Sequence, residues 1–430
     1  MFGSTVEYFD FTLFAGASAL IFNRLMFSSL GPTGALLASF ATFGVAYVAR
    51  PIGAIVFGTL GDKIGRKRTL VLSLNLMGVS TFLVGLMPTY AMIGLAAPII
   101  LIALRLVQGF SAGGEQAGSN SLSMEHAPQN RRGLYASWTM QGTTLGSLLG
   151  VVAFIAITSL PEDAMLSWGW RVPFLLAAPL MLVAFWIRQR VDETDAFLQT
   201  KKSGTVAKAP ITEVIVHHWP AIVRVIFCSL LAVSGSVLNV YALAYVAGHT
   251  DMAVNSYLIA ALLAGVVGLI VQPFWARLSD RIGRKPVFAG SMLLTGILFF
   301  PFFVVLSTGR FVPVLLMAAV VGVAAVGANG TGAAFYSEMF PTRVRYIGMA
   351  LGTQLGFIVA GFAPAIMTAI DASTDGWFMV ALFAAVCMFL AAGSSLTARE
   401  SNRTTLDKLG EKDAVGTAGH RTGTPETALN

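Results

Sequence analysis

The stretch GTLGDKIGRKR at residues 58–68 decides the fold, because a close copy of it returns in the second half of the chain. Its core, GDKIGRK from Gly61, recurs as SDRIGRK from Ser279, 218 residues further on. A second pattern, Glu-x-x-Pro-x-x-x-Arg at residues 125–132, returns at residues 338–345, a shift of 213. Two matches at nearly one offset indicate a duplicated chain made of two parallel halves.

The composition shows that these repeats lie in a membrane protein. Of the 430 residues, 56% are hydrophobic and 11% are charged, whereas soluble domains carry roughly 25% charged residues. Apolar stretches of about 18 residues, long enough to cross a hydrocarbon layer of roughly 30 Å, recur as far as Thr397. We predict twelve spans, at residues 4–28, 37–60, 70–88, 94–122, 134–158, 170–188, 219–246, 253–276, 286–307, 311–336, 346–370 and 376–397. The predicted fold class is an all-α membrane protein with twelve transmembrane helices in two pseudo-symmetric six-helix bundles.

The longest polar stretch between spans divides these twelve into six and six. It predicts an N-terminal bundle at 1–188, a cytoplasmic linker at 189–218 and a C-terminal bundle at 219–397. The remaining residues, 398–430, are polar and lack hydrophobic periodicity. We therefore expect a disordered cytoplasmic tail.

The formal net charge of +7 indicates membrane orientation rather than nucleic-acid binding. Most basic residues fall in alternate short loops between apolar spans, and the positive-inside rule then places both termini in the cytoplasm. The two cysteines, Cys228 and Cys387, lie inside apolar spans without metal-ligand spacing, so no metal and no cofactor is expected. The sequence has no HExxH, no GxSxG and no cluster of His or Cys, which argues against an enzyme. The expected partners are the lipid bilayer, protons and a small solute, and the expected state is a monomer.

Four ionisable residues inside apolar spans are candidates for coupling to protons. They are Asp10, Arg50, Arg105 and Glu115. Charges in that environment are costly, by about 2.5–3.5 kcal/mol on insertion scales, and usually face a cavity. Since a buried carboxylate that changes its partner can take up or release a proton, we assign proton coupling to Asp10, Arg105 and Glu115. The alternative is a buried structural ion pair.

The embedded arginines point to an anionic substrate. Arg50, Arg105 and Arg224 outnumber the carboxylates of Asp10 and Glu115, although Arg224 lies near a span end where it can snorkel to the interface. Arginine binds a carboxylate bidentately, which suits a small organic acid. We expect Asp10, Arg50 and Arg105 to line one central hollow. The predicted substrate-binding residues are Arg50, Gln141, Asn239, Tyr241 and Gln354, for which interhelical hydrogen bonding is the alternative role.

Several of these stretches resemble a known family. GTLGDKIGRKR and RLSDRIGRK are similar to the two signature loops of the major facilitator superfamily. EYFDF, ARPIGAIVFG, RLVQGFSAGGEQAG and SWGWRVPF resemble the metabolite:proton symporter family within it, most of all the shikimate transporter subgroup. Tyr8 and Gln116 stand where relatives have tryptophan, so the substrate of a named relative does not carry over directly.

The resemblance implies a gate. In that superfamily the loop aspartate lies against the N-terminus of a helix from the other half, where the helix dipole favours a carboxylate. Asp280 is then expected to face the start of the fifth span near Gly133, and Asp62 the start of the eleventh near Ile347. Two ion pairs are also expected. The predicted gating residues are Asp62, Arg66 with Glu125, Asp280, and Arg284 with Glu338.

Taken with the resemblance, the charges predict a secondary active transporter of the plasma (inner) membrane. We expect proton-coupled symport of a small organic acid, shikimate-like or another carboxylate, by alternating access. The alternative is proton-coupled uptake of a zwitterionic osmolyte such as proline or betaine. A channel or a membrane enzyme fits these residues much less well.

Overall fold

All regular structure in the described part of the chain is helical. The computed structural model describes residues 2–64, 66–113, 127–128, 131–177, 179, 211–341, 344–374, 376–402, 404 and 409, without the side chains of residues 2, 61–63, 66 and 67. The predicted all-α membrane fold is confirmed. Ten helices in these ranges are long and apolar enough to span a membrane, and the shorter apolar helix Ala96–Ala112 adds to them.

The first half forms six helices. They are α1 (Phe2–Ala17), α2 (Gly31–Ile64), α3 (Arg66–Leu86), α4 (Ala96–Ala112), α5 (Arg132–Thr158) and α6, of which residues 171–177 are described. Helix α1 continues through a π-helical turn, Ser18–Phe22, into Asn23–Leu25. Short segments in the connections are Ser28–Leu30, Tyr90–Ile93, Glu162–Ala164 and the π-helical Met165–Gly169.

The second half repeats this arrangement. Its helices are α7 (Trp219–His249), α8 (Val254–Ile282), α9 (Arg284–Ser307), α10 (Phe311–Glu338), α11 (Arg345–Thr374) and α12 (Trp377–Thr397). Helix α7 is irregular, because a 3₁₀ turn at Ser229–Leu231 and a π-helical turn at Val237–Tyr241 interrupt it. Such interruptions often mark functional segments of a helix. The predicted linker, 189–218, is partly helical, with a short helix at Ile211–His217.

Two helices are longer than hydropathy predicted. Helix α2 begins at Gly31 instead of residue 37 and ends at Ile64 instead of 60, and α8 ends at Ile282 instead of 276. Hydropathy reports only the part of a helix that lies in hydrocarbon. A helix satisfies its backbone hydrogen bonds internally, so it can continue into the polar region beyond.

Close approach of helices depends on small residues at their contacts. A Cβ added at Gly109 would overlap the carbonyl oxygen of Ala46, and one at Gly113 would overlap that of Arg50. Helices α2 and α4 therefore pack backbone to backbone. This agrees with glycine-rich packing in membranes, where van der Waals contact drives association.

The start of the predicted tail is ordered against the bundle. We call the end of the molecule that holds the α2–α3 and α8–α9 loops the basic end. There, the Glu400 carboxylate accepts hydrogen bonds from the backbone N–H groups of Arg284 (2.7 Å) and Lys285 (3.0 Å). These N–H groups have no partner within α9, and the helix dipole favours an anion beside them. The expectation of disorder from residue 398 onward is thus wrong for its first residues.

Candidate functional site

A cavity of about 280 Å³ lies between the two bundles. Helices α1, α2 and α5 line it from the first half, and α7, α8, α10 and α11 from the second. Its described lining contains hydroxyl, amide and aromatic side chains but no Asp, Glu, Lys, Arg or His. Examples are Tyr8, Thr12, Tyr47, Ser147, Asn239 and Asn329. The wall is therefore uncharged and largely apolar, with these polar groups set among Ala, Val, Leu and Phe side chains.

Asp10 is buried in the first bundle and bonded to neutral donors. Its Oδ1 accepts hydrogen bonds from Thr81 Oγ1 (2.6 Å) and Gln108 Nε2 (3.2 Å), while Oδ2 has no partner among the described residues. Gln108 Oε1 in turn accepts from Arg105 Nη1 at 3.0 Å. Asp10 and Arg105 are thus joined through the Gln108 amide, since no direct ion pair between them occurs in the described structure.

Arg105 is held largely by aromatic rings. Its guanidinium carbon lies 3.9 Å from the ring centroid of Phe14, 4.9 Å from that of Phe11 and 5.6 Å from that of Phe43. Its Nη2 also donates to the Phe43 carbonyl at 3.3 Å. Ring faces attract a cation, most strongly when water is excluded, so this site keeps arginine charged at full burial.

Arg50 has an ionic partner that sequence analysis missed. Its guanidinium forms an ion pair with Glu7, and each side chain is only 1% exposed. Glu7 neutralises part of the arginine excess inferred above, so that argument for an anionic substrate is weaker than the sequence indicated. The sequence did contain an indication of this role for Glu7. In EYFDF, Glu7 and Asp10 are three residues apart and share one face of α1, so Glu7 faces the same interior as Asp10.

The charged residues lie behind the cavity wall instead of in it. Arg50 and Arg105 both lie against the Phe11 ring, at 4.5 and 4.9 Å, and Phe11 lines the cavity with Phe43 and Tyr47. The two arginines do share one site with Asp10, but the expectation that all three line the hollow is wrong in this conformation. Each charge finds polar or aromatic partners within the bundle, which lowers the cost of its burial.

Among the other predicted substrate-binding residues, only Asn239 lines the cavity. The amide of Gln141 donates to the Leu269 carbonyl at 2.9 Å and so ties α5 to α8. Tyr241 packs against Tyr245 and Phe303. Gln354 is fully buried, and neither atom of its amide has a hydrogen-bond partner among the described residues. Gln141, Tyr241 and Gln354 do not line the cavity, so the expectation that they face it is wrong; whether they act in binding stays a prediction.

At the basic end, Asp280 joins the two bundles. Its carboxylate accepts hydrogen bonds from the backbone N–H groups of Gly133 (2.9 Å) and Leu134 (3.1 Å) at the start of α5. Arg284 holds the same carboxylate through an ion pair of 2.7 Å. The expected contact of Asp280 with the start of the fifth span is confirmed, and its role in gating stays a prediction.

Glu338 is the centre of a buried network beside Asp280. It pairs with Arg284 at 3.3 Å, as predicted, and also with Arg132 at 3.5 Å. Ser401 Oγ donates to Glu338 at 2.6 Å, and Arg132 Nη2 donates to the carbonyls of Ser401 and Thr404. Sequence analysis named Arg132 only as the end of the repeated pattern at residues 125–132 and gave it no partner, and it assigned no contact to the tail.

The first-half copy of this network is only partly described. The side chains of Asp62 and Arg66, and Glu115 and Glu125 altogether, lie outside the described residues. Gly58 faces Tyr346 so closely that an added Cβ would lie 2.9 Å from the Tyr346 ring. Helices α2 and α11 therefore meet at the basic end, as α5 and α8 do.

Comparison with known proteins identifies the family. Residues 1–214 match the family described as "Sugar (and other) transporter", and residues 116–341 match "MFS/sugar transport protein". The shikimate transporter of Escherichia coli K12 is 35% identical over 411 residues, which cover 93% of each chain. The proline/betaine transporter of the same organism is 31% identical over 418 residues, covering 93% of this chain and 82% of that one. The chain belongs to the major facilitator superfamily.

Solved structures of the superfamily share this fold. A D-xylose–proton symporter superposes with a TM-score of 0.73 at 18% identity, covering 92% of this chain and 95% of that one. The xylose transporter of E. coli in its inward-open conformation gives a TM-score of 0.72 at 17% identity, with 95% and 97% covered. The predicted two-bundle, twelve-helix architecture is confirmed by these likenesses. This superfamily member is a membrane transporter and not an enzyme.

The end opposite the basic end is also bridged between the bundles. There Asn255 Nδ2, at the start of α8, donates to Ser159 Oγ just past α5 at 2.9 Å. Nearer the middle, Thr144 Oγ1 donates to Gln272 Oε1 at 3.2 Å. Contacts between α5 and α8 thus occur at both ends of the transporter, with the cavity between them.

Proposed function

We propose that the protein couples inward movement of protons to uptake of a small organic acid, of which shikimate is the first to test. The proposal is supported by the relative named a shikimate transporter and by a feature of the cavity. Phe11, which lines the cavity, separates it from two buried guanidinium groups, those of Arg50 and Arg105. A carboxylate that displaces this ring reaches the two guanidinium groups, and arginine is the side chain best suited to bind one.

In this proposal Asp10 carries the coupling proton, with Arg105 and Glu115 in the same path. The open Oδ2 of Asp10 gives a proton a place to bind without breaking the bonds to Thr81 and Gln108. Protonation neutralises the Asp10 carboxylate, to which Gln108 donates a hydrogen bond while it accepts one from Arg105. The cavity and the coupling group therefore communicate through side chains of a single bundle.

Alternating access requires a gate, which we assign to the network around Asp280, Arg284 and Glu338. The positive-inside rule favours a cytoplasmic position for the basic end and both termini. In the state described, two backbone N–H groups of one bundle bind a carboxylate of the other, which favours closure at this end. We propose that Asp62, Arg66 and Glu125 act in the same way on the side of α2 and α11.

One observation favours a second candidate, uptake of a zwitterionic osmolyte. The described cavity wall carries no charged side chain but contains several aromatic rings, among them Tyr8, Tyr47, Tyr257 and Phe357. Aromatic faces bind quaternary ammonium groups well. A relative at 31% identity is named a proline/betaine transporter.

Uptake by the purified protein in liposomes, under an imposed pH gradient, tests the proposal. We expect radiolabelled shikimate to accumulate when the outside is acidic, and other carboxylates to compete. A protonophore and protein-free liposomes are the controls. Accumulation of betaine that carboxylates do not inhibit would replace the organic-acid proposal with the osmolyte one, and flux that ignores the gradient would contradict proton coupling.

A further inference from the structure

Glu7 and Arg50 form a buried ion pair behind the wall of the cavity that lies between the two bundles. Glu7 lies on α1 and Arg50 on α2, and both side chains are 1% exposed. The second oxygen of Glu7, Oε2, has no hydrogen-bond partner among the described residues. A buried carboxylate with a single ionic partner depends on that partner to stay ionised, because nothing else replaces its lost hydration.

Arg50 is placed where a ligand can compete for it. Its guanidinium carbon lies 4.5 Å from the Phe11 centroid and 5.0 Å from the Tyr47 centroid, and both rings line the cavity. Phe357 of α11, also on the cavity wall, lies 6.0 Å away. Ring side chains from both bundles, which can change rotamer, thus lie between this cation and the cavity.

The backbone at this point is also adaptable. Pro51 lies inside α2, directly after Arg50, and has no N–H to donate to the carbonyl one turn earlier. A helix that lacks this bond bends more readily at that turn. Arg50 can therefore move relative to Glu7 without unfolding of α2.

We propose that Glu7 is a second proton-coupling carboxylate, which competes with the carboxylate of the substrate for Arg50. This inference rests on the proposed uptake of an organic acid. As the substrate anion takes the Arg50 guanidinium, the Glu7 carboxylate loses its ion pair and takes up one proton from water. One ion pair is exchanged for another, the proton balances the incoming negative charge, and no bond other than the new O–H forms.

The surroundings distinguish Glu7 from Asp10. Asp10 is bonded to the neutral donors Thr81 and Gln108, so a substrate that binds Arg50 takes no partner from it. Helices α2, α5 and α7 pack on α1, and Arg105 of α4 lies against the Phe11 ring of α1. The other titratable or charged side chains described on these five helices are Tyr8, Asp10, Tyr47, Arg105, Arg132, Tyr135, Arg224, Cys228, Tyr241, Tyr245 and His249. Helix α5 contributes Gly146 and Gly150 to its contact with α1. Within these residues, Arg50 is the cation paired with Glu7.

Proton uptake on binding tests this directly. Shikimate binding to the purified full-length protein would be measured by calorimetry in buffers of different ionisation enthalpy, which reports protons taken up per ligand bound. We expect Glu7→Gln to take up about one proton fewer than the unmodified protein. The Kd of the unmodified protein should also depend more strongly on pH than that of the variant. The difference should be about tenfold per pH unit, because the unmodified protein takes up one more proton on binding.

A matched control removes a carboxylate of the same kind elsewhere. Glu162 forms an exposed ion pair with Arg24, so Glu162→Gln should leave proton uptake unchanged. Glu7→Asp keeps the carboxylate and should keep the uptake. If Glu7→Gln binds shikimate with undiminished proton uptake, the inference is overturned while the proposed function stands. If the unmodified protein binds no carboxylate, the proposed function itself fails.

A second measurement does not depend on the folding of Glu7→Gln. Infrared difference spectra of the unmodified protein, recorded on adding shikimate, should gain the carbonyl band of a protonated carboxyl group. We expect the band to persist in Asp10→Asn, since Glu7 is its source. Loss of the band in Asp10→Asn, or its absence in the unmodified protein, would contradict the role of Glu7.

Discussion

Two carboxylates on one face of α1 are held in different ways. Glu7 is bound by the cation of Arg50, whereas Asp10 is bound by the hydroxyl of Thr81 and the amide of Gln108. An ion pair stabilises the charged form of a carboxylate more strongly than neutral donors do. A change of partner therefore affects Glu7, and a proton can bind the open oxygen of Asp10. In the proposed mechanism, the two residues divide the proton coupling between them.

The substitution Asp10→Asn should leave substrate movement intact while removing its dependence on the pH gradient. In Asp10→Asn the side chain keeps its size and one hydrogen-bond acceptor but cannot take up a proton. We expect accumulation driven by a pH gradient to be abolished, while exchange of labelled for unlabelled substrate at equal pH persists. Both are measured in liposomes.

The control for Asp10→Asn is Asp163→Asn, in the short helix Glu162–Ala164 on the exposed part of the molecule. It should accumulate substrate as the unmodified protein does. Undiminished accumulation by Asp10→Asn would end the assignment of Asp10 as the proton site.

Among the helices, the contact of α2 with α4 holds the charged cluster in place. Gly109 and Gly113 of α4 lie against the backbone carbonyls of Ala46 and Arg50. The spacing of these helices is thus set by the absence of a side chain. Any increase in their separation moves Arg50, on α2, relative to Arg105, on α4.

A methyl group at Gly109 should destabilise the protein. The Cβ of Gly109→Ala would overlap a backbone carbonyl, which can move only with α2. Overpacking of this kind costs about 1–3 kcal/mol, so we expect the Tm in detergent to fall by several degrees. Gly290→Ala is the control, because a Cβ there has no neighbour within 4 Å. An unchanged Tm in Gly109→Ala would contradict the close packing of α2 and α4.

On the scale of the whole molecule, three segments far apart in sequence meet at the basic end. Arg132 comes from the first bundle, Glu338 from the second, and Ser401 from the segment after α12. The segment contacts both bundles at once, since Arg132 donates to Ser401 and Thr404 while Glu400 caps α9. In the proposed gate, the segment after α12 must release at least one of the two bundles when the basic end opens.

Removal of that segment should favour opening at the basic end. A chain ending at Thr397 lacks Glu400 and Ser401, leaving the first N–H groups of α9 and the Glu338 carboxylate with fewer partners. Loss of a helix cap costs about 0.5–2 kcal/mol. We expect a lower Tm and faster thiol labelling of a cysteine placed at Ala136, which is fully buried on α5 against Ala333 and Ala334 of α10.

The control for this truncation ends the chain after residue 410 and so keeps the contacts of residues 400, 401 and 404. It should label at the rate of the full chain. Equal labelling of the two truncated chains would show that the segment does not hold the basic end closed.

Much of this molecule could be predicted because the repeated loop and the apolar spans are patterns of residues close together in the sequence. Hydropathy identified the spans, and the copy at residues 279–285 carried the expectation that Asp280 meets the start of α5, which the structure confirms. Glu7 was missed although it stands three residues from Asp10. Whether a charge pairs with a residue 43 positions away depends on how α1 and α2 rotate against each other.

By itself, the amino-acid sequence determined the membrane setting and the duplication, while its resemblance to a known superfamily implied which helices meet at the basic end. Only the tertiary structure decided that Arg50 is paired with Glu7, that aromatic rings separate the charges from the cavity, and that Glu400 and Ser401 contact Arg284 and Glu338 at the basic end. The physical reason is the range of the interactions. The free energy of transferring a segment into lipid is a sum over residues that are neighbours in sequence. The partner of a buried charge depends instead on how helices distant in sequence pack together.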